Sequence, residues 1–204
     1  MKKKKIIIII LIATLIISSI FFIFFNKNTA KRYKTGNNST SQEIVDNILN
    51  IYSYEATVEV EIKSNKNENK YIIKQVYNGE EDNWQEIIEP TNIAGVKIIK
   101  QGANLKLENT NLNLTSMFEN YEYISDNSLD LSSFIKEYKN DEKAEFSEKD
   151  NKIIMTTSIN ENRKRKTKIL YINKENGMPS KLEIQDANKK IAIYILYNEV
   201  KVNS

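Results

Sequence analysis

The 204-residue sequence contains no cysteine and no histidine, and only two prolines and five glycines. Without cysteine there is no disulfide framework, no thiolate nucleophile and no acceptor for a lipid at the end of a leader. Without either residue no Cys/His zinc site and no Ser-His-Asp triad can be built, so any catalysis would run on carboxylates, Lys, Tyr or hydroxyls. No phosphate loop, G-x-S-x-G or EF-hand spacing is present, and no cofactor or metal is expected. An excess of one charge is lacking too. The 30 Lys and Arg against 27 Asp and Glu include Lys2, Lys3, Lys4 and Lys5, which precede an apolar run, while no acidic residue occurs before Glu43. Setting those four aside leaves 26 basic against 27 acidic residues, a balance that argues against nucleic acid as a partner.

What is present first is a long hydrophobic run. Residues 6–25, with Ile6, Ile10, Leu15, Ile20 and Phe25 along it, contain only Thr14, Ser18 and Ser19 as polar members. Twenty residues at about 1.5 Å each span the roughly 30 Å hydrocarbon core of a bilayer. The run is longer than the apolar core of a signal peptide, and its exit, Phe24-Phe25-Asn26-Lys27, offers no small-x-small cleavage site. A retained single-pass anchor in the cell membrane is the expectation. Lysines and Arg32 on both flanks nearly cancel the positive-inside bias. Translocating the four-lysine tail is the harder event, so residues 1–5 are placed inside and the rest outside.

Residues 26–39 form a polar linker, which at 14 residues reaches about 20 Å root-mean-square if flexible. Residues 40–204 are then expected to make one extracytoplasmic domain. Thr40 and Glu43 have capping-box spacing, and Ile44, Val45, Ile48, Leu49, Ile51 and Tyr52 follow at helical intervals, giving a helix at about 41–52. From Tyr54 the period becomes two: Tyr54, Ala56, Val58, Val60 and Ile62 alternate with Glu55, Thr57, Glu59, Glu61 and Lys63. Further strands are read at 71–77, 84–89, 96–100, 105–108, 144–149, 153–159, 167–173, 181–186 and 190–202, with a second helix at 129–139. Short connections require antiparallel pairing. The fold class expected is mainly β: a half-open, strongly curved antiparallel sheet or barrel of about ten strands with two covering helices. Ile191 to Tyr197 is apolar on both faces, the pattern of a strand covered on both sides.

Candidate contact residues fall into two sets. Tyr71, Tyr77, Trp84, Tyr121 and Tyr123 would line a cavity or a partner interface, because aromatics dominate binding hot spots; strand packing is the plainer account of most of them. Arg163, Lys164, Arg165, Lys166 and Lys168 form the basic cluster of the outer domain and would meet anionic lipid, wall polymer or an acidic partner. The plainer account is a polar hairpin end on a charge-protected edge. Glu55, Glu59 and Glu61 share one strand face, which a solvated surface explains better than an acid/base pair.

The hairpin opening Tyr54-Glu55-Ala56-Thr57-Val58-Glu59-Val60, followed by Tyr71 to Tyr77, Trp84 to Pro90 and Ile93-Ala94-Gly95, resembles the lipoprotein-carrier (LolA-like) fold. Lys74-Gln75-Val76-Tyr77, Glu86-Ile87-Ile88-Glu89-Pro90 and Leu129-Asp130-Leu131-Ser132-Ser133-Phe134-Ile135 resemble the clostridial germination lipoproteins of the GerS type. That resemblance implies a half-open barrel with a helical lid. It also implies a part in spore formation or germination, as a non-enzymatic partner of a cortex-processing cell-wall amidase. The family is lipidated, whereas this chain carries an apolar run instead. Three functions are weighed: an adaptor for an extracytoplasmic protein, a local binder of lipid or lipoprotein, and a hydrolase. The tether argues against a carrier that must leave the membrane, so the adaptor ranks first. A homodimer is kept as a further assembly.

Overall fold

The computed structural model describes residues 39–63, 67–79, 81–102, 104–119, 129–161 and 164–203, with backbone alone at 81, 82, 160, 161, 164, 165 and 203. The expected anchor with Ile6, Ile10, Leu15, Ile20 and Phe25, the basic tail and the linker up to residue 38 lie outside them. Among the described residues no helix is long and apolar enough to cross a membrane.

Helix α1 spans Ser41–Leu49 and α2 spans Leu131–Asn140. The strands are β1 (Ser53–Lys63), β2 (Glu68–Asn78), β3 (Glu81–Glu89), β4 (Val96–Gln101), β5 (Asn104–Asn109), β6 (Leu114–Phe118), β7 (Glu145–Lys149), β8 (Lys152–Glu161), β9 (Lys164–Asn173), β10 (Pro179–Gln185) and β11 (Ile191–Asn203). They form one curved, open antiparallel sheet in the order β6-β5-β4-β3-β2-β1-β11-β10-β9-β8-β7. Two meanders of neighbouring hairpins thus meet where the first strand pairs with the last, Tyr54 opposite Val202 and Val60 opposite Ile195. Among the described residues the sheet has eleven strands where about ten were expected, because Leu114–Phe118 adds an edge strand that the short, weakly alternating Leu-Thr-Ser-Met-Phe does not announce.

The capping box at Thr40 forms as its spacing requires. Glu43 N donates to Thr40 Oγ1 at 3.2 Å and Thr40 N to Glu43 Oε2 at 2.8 Å. Helix α1 ends three residues before the expected Tyr52, where the Asn50 side chain turns back to Asp46 O at 2.7 Å, and β1 begins at Ser53. Tyr52 is exposed, and its carbonyl accepts from Gly79 N at 3.0 Å. Gly79 has φ +64°, and a Cβ there would sit 2.7 Å from the Tyr52 ring, so both backbone and space favour glycine. The β7–β8 hairpin turns through Asp150 and Asn151, both at positive φ, which is the two-residue turn whose twist suits paired strands.

The inner face of the sheet carries the core. Tyr54, Ala56, Val58 and Val60 of β1 lie in one layer with Ile153, Met155, Leu170, Ile172, Leu182 and Ile195, beneath Ile44, Val45 and Ile48 of α1 and Leu131, Phe134 and Ile135 of α2. Each Val, Leu, Ile, Phe and Met side chain among them contributes about 1.5–3 kcal/mol on burial. From Tyr54 to Val60 the even positions of β1 are the buried ones, so the alternation read from the sequence is the register of the core. A register shift between Thr57 and Val58 skips Asn198 of β11 and lets Val200 and Val202 also pack against the core. Among the described residues no element packs over the second apolar face of β11. Tyr194 and Leu196 are half-buried by neighbours on the same face, with Lys181 Nζ 3.8 Å from the Tyr171 ring centroid and 5.4 Å from that of Tyr194.

Candidate functional site

Of the aromatic set, the three members among the described residues, Tyr71, Tyr77 and Trp84, do not share one face. Tyr77 stands opposite Tyr54 on the inner face, the ring centroids 5.7 Å apart, and Tyr71 lies on that same face opposite Val60. Trp84 pairs with Val76 and therefore points to the outer face. There Lys97 Nζ sits 3.8 Å from its ring centroid and Lys74 Nζ 5.7 Å, a cation–π arrangement on a solvated surface. Lys74 also bonds Glu55 at 2.8 Å, which lowers the Glu55 carboxyl and raises the Lys74 ammonium from their ordinary values. Tyr121 and Tyr123 lie outside the described residues.

Of the basic cluster, the side chains of Lys166 and Lys168 are described. Arg163 is outside the described residues, and of Lys164 and Arg165 the backbone alone is described, in β9. Lys166 is half-buried. Lys168, expected among the surface cations, is buried: it shares the inner row with Leu170 and Ile172, opposite Thr157 and Ile184. Its Nζ donates to Glu137 Oε1 at 2.7 Å and to Ser133 Oγ at 3.3 Å, one turn apart on α2. Strand parity under a helix decided this, and no feature of Lys-Arg-Lys-Thr-Lys distinguishes its last lysine.

A polar lock holds the start of α2. Leu131 N donates to the Tyr54 hydroxyl at 3.0 Å, and Gln75 Nε2 donates to Leu129 O at 3.2 Å. Asp130 caps the helix by accepting from Ser133 N at 2.7 Å. Burial first, and the nearby Asp130 charge second, push the Tyr54 and Tyr197 phenols well above the ordinary value.

The outer-face carboxylates are spread in ion pairs: Glu55 with Lys74, Glu61 with Lys63 and Lys70, Glu108 with Lys106, and Glu183 with Lys181. Among the described residues no group of three or more acidic side chains could hold a metal ion.

The two edges of the sheet differ sharply. β7 carries Glu145, Glu148 and Lys149 within five residues, and Glu148 accepts from both Lys174 Nζ and Ser41 Oγ. That is a charge-protected edge. β6 carries no charge, and around it Leu112, Leu114, Met117 and Phe118 are exposed by 65, 61, 49 and 39%. The turn that leads into β6 and carries Leu112 is held in place. Asn111 Nδ2 donates to Ala94 O at 2.8 Å, Thr110 N to Gly95 O at 3.2 Å and Leu112 N to Asn109 Oδ1 at 3.1 Å. Gly95 has φ +83°, and a Cβ on it would fall 2.6 Å from Asn111 Nδ2. None of these apolar residues stands out by type. The signal that finds them is residues 109–118, a ten-residue uncharged run in a chain that is 28% charged.

Compared with curated proteins, the chain matches none. Among solved structures it is similar to a chain of the complex between the Clostridioides difficile CwlD amidase and the GerS lipoprotein, at 22% identity and TM-score 0.49, over 80% of this chain and 96% of that one. It is similar to an uncharacterized conserved protein of Thermus thermophilus at 12% identity and TM-score 0.48, covering 81% and 89% of the two chains. It is also similar to the LolA superfamily protein NE2245 of Nitrosomonas europaea at 13% identity and TM-score 0.42, covering 81% and 94%. The family model for YdcC-like sporulation proteins matches residues 3–204, and the chain belongs to that family.

Proposed function

We propose that this protein is a membrane-anchored, extracytoplasmic adaptor of sporulation that binds and supports a cell-wall amidase. The observation that supports the reading is the uncharged run 109–118, where Leu112 in the turn before β6 and Leu114, Met117 and Phe118 within it are exposed large apolar side chains of the kind protein interfaces use. Family membership supplies the sporulation setting. The amidase is the partner class that the GerS-type resemblance implies, and residues 6–25 supply the anchor, with the domain outside.

Local lipid binding ranks second. Over β1 and β8 to β11 the inner face is filled by Leu131, Phe134 and the side chains of α1, so an acyl chain would have to displace a helix whose start is bonded to Tyr54 and Gln75. A hydrolase ranks third, since the carboxylates form dispersed ion pairs on the outer face rather than a converging set.

The test uses the full chain in detergent with the purified sporulation amidase of the same host. The two should co-elute with an interface of about 1,200–2,000 Å², and wall fragments should appear only when the amidase is present. Absence of a complex sinks the amidase reading. Release of fragments by the chain alone, abolished by substituting one Glu or Asp, replaces the adaptor with an enzyme.

A further inference from the structure

We infer that the ion pair under α2 binds one water molecule, which accepts from the Lys168 ammonium and donates to Glu137 Oε2. The bonds around the pair are unevenly shared. Glu137 Oε1 accepts from Lys168 Nζ at 2.7 Å and from Ser133 Oγ at 3.1 Å, and Lys168 Nζ also reaches Ser133 Oγ at 3.3 Å. Glu137 Oε2 is buried and accepts from no donor among the described residues. An ammonium has three protons to donate, and Glu137 and Ser133 take up two of them. The pair is therefore short of one acceptor beside Nζ and one donor beside Oε2, the two ends of a single contact. A charged oxygen shut away from solvent without a donor is unfavourable, and buried polar groups that lack a protein partner take ordered water instead.

Chemistry and space select the occupant. It must accept from a cation and donate to an anion at once, so it is neutral and carries a hydroxyl proton. A metal ion would face the Lys168 ammonium, and a phosphate or carboxylate would face Glu137. The Lys168 and Glu137 side chains are exposed by only 5 and 15%, so the smallest such molecule, water, is the one that fits. The residual opening is on the Glu137 side, and through it the water exchanges with solvent. The seat of α2 is then dry where Leu131 and Phe134 are buried and hydrated about one turn further on.

The first test is a crystal structure of the full chain at a resolution that shows water. One peak should lie within hydrogen-bond distance, about 2.6–3.2 Å, of both Glu137 Oε2 and Lys168 Nζ. A protein donor on Oε2, or no peak between the two atoms, overturns the proposal. The second test counts long-lived internal waters by oxygen-17 relaxation dispersion on the full chain in detergent. Lys168→Met with Glu137→Leu removes both partners of the water, so the count should fall by one relative to the parent. Thr115→Ser, at an exposed position of β6, should leave the count unchanged. An equal count in the parent and the double variant overturns the proposal, and the crystallographic test stands whatever the stability of that variant. Neither result bears on the protein-partner reading above.

Discussion

The Tyr54 hydroxyl accepts from Leu131 N and lies 3.5 Å from Gln75 Oε1, while its ring stacks on Tyr77. Tyr54→Phe keeps the stack and strands a buried amide, so it should cost about 1–3 kcal/mol in urea unfolding with an unchanged denaturant slope. The same phenols make a pH prediction. Burial raises Tyr54 and Tyr197 above the value of an unfolded tyrosine, near 10. Their contribution is complete below pH about 10, where both states are protonated; above it the unfolded chain releases protons that the folded one keeps, so stability falls. The urea midpoint should decline from pH about 10 upward, and Tyr197→Phe should flatten that decline. A decline as steep in Tyr197→Phe as in the parent would contradict the assignment. Tyr54 was legible in the sequence as an inward position of β1. Its bond to a helix 77 residues away was not, because hydrogen bonding between distant segments leaves no local pattern.

At the scale of the element, α2 is pinned at three points. Asp130 and Tyr54 hold its start, Lys168 reaches Ser133 and Glu137 at its middle, and beyond its end Asp141 Oδ2 accepts from Thr157 Oγ1 at 2.9 Å and Ser158 N at 2.8 Å. The middle contact is a charge pair with little solvent access. Lys168→Met alone leaves Glu137 without its cation under the helix and should cost about 3–5 kcal/mol, whereas Lys168→Met with Glu137→Leu should recover most of the loss. A single and a double substitution of equal cost, measured by chemical denaturation, would show that packing rather than charge sets the effect. Amphipathic spacing located both helices to within three residues, and Thr40 and Asp130 supplied their caps. What spacing could not supply was the strand under each helix.

For the whole molecule the decisive pairing is β1 with β11, which joins the two meanders through contacts between residues such as Ser53 and Asn203. Deleting residues 191–204 should therefore abolish the cooperative melt of the domain, not merely fray one edge; a truncated chain that still unfolds cooperatively with most of its β circular dichroism would refute this. The domain should also fold on the millisecond-to-second scale, since its central contacts lie far apart in sequence. The mainly β class, the antiparallel connections and nearly every strand were determined by the sequence alone, because period-two alternation and turn residues are local properties of the chain. Only the tertiary structure decided that the terminal strands meet at the centre, that Trp84 and Tyr77 lie on opposite faces, and that Lys168 is buried while Met117 and Phe118 remain exposed. Those outcomes depend on register and on which edge a helix covers, and both are settled by contacts between segments that the local pattern does not encode.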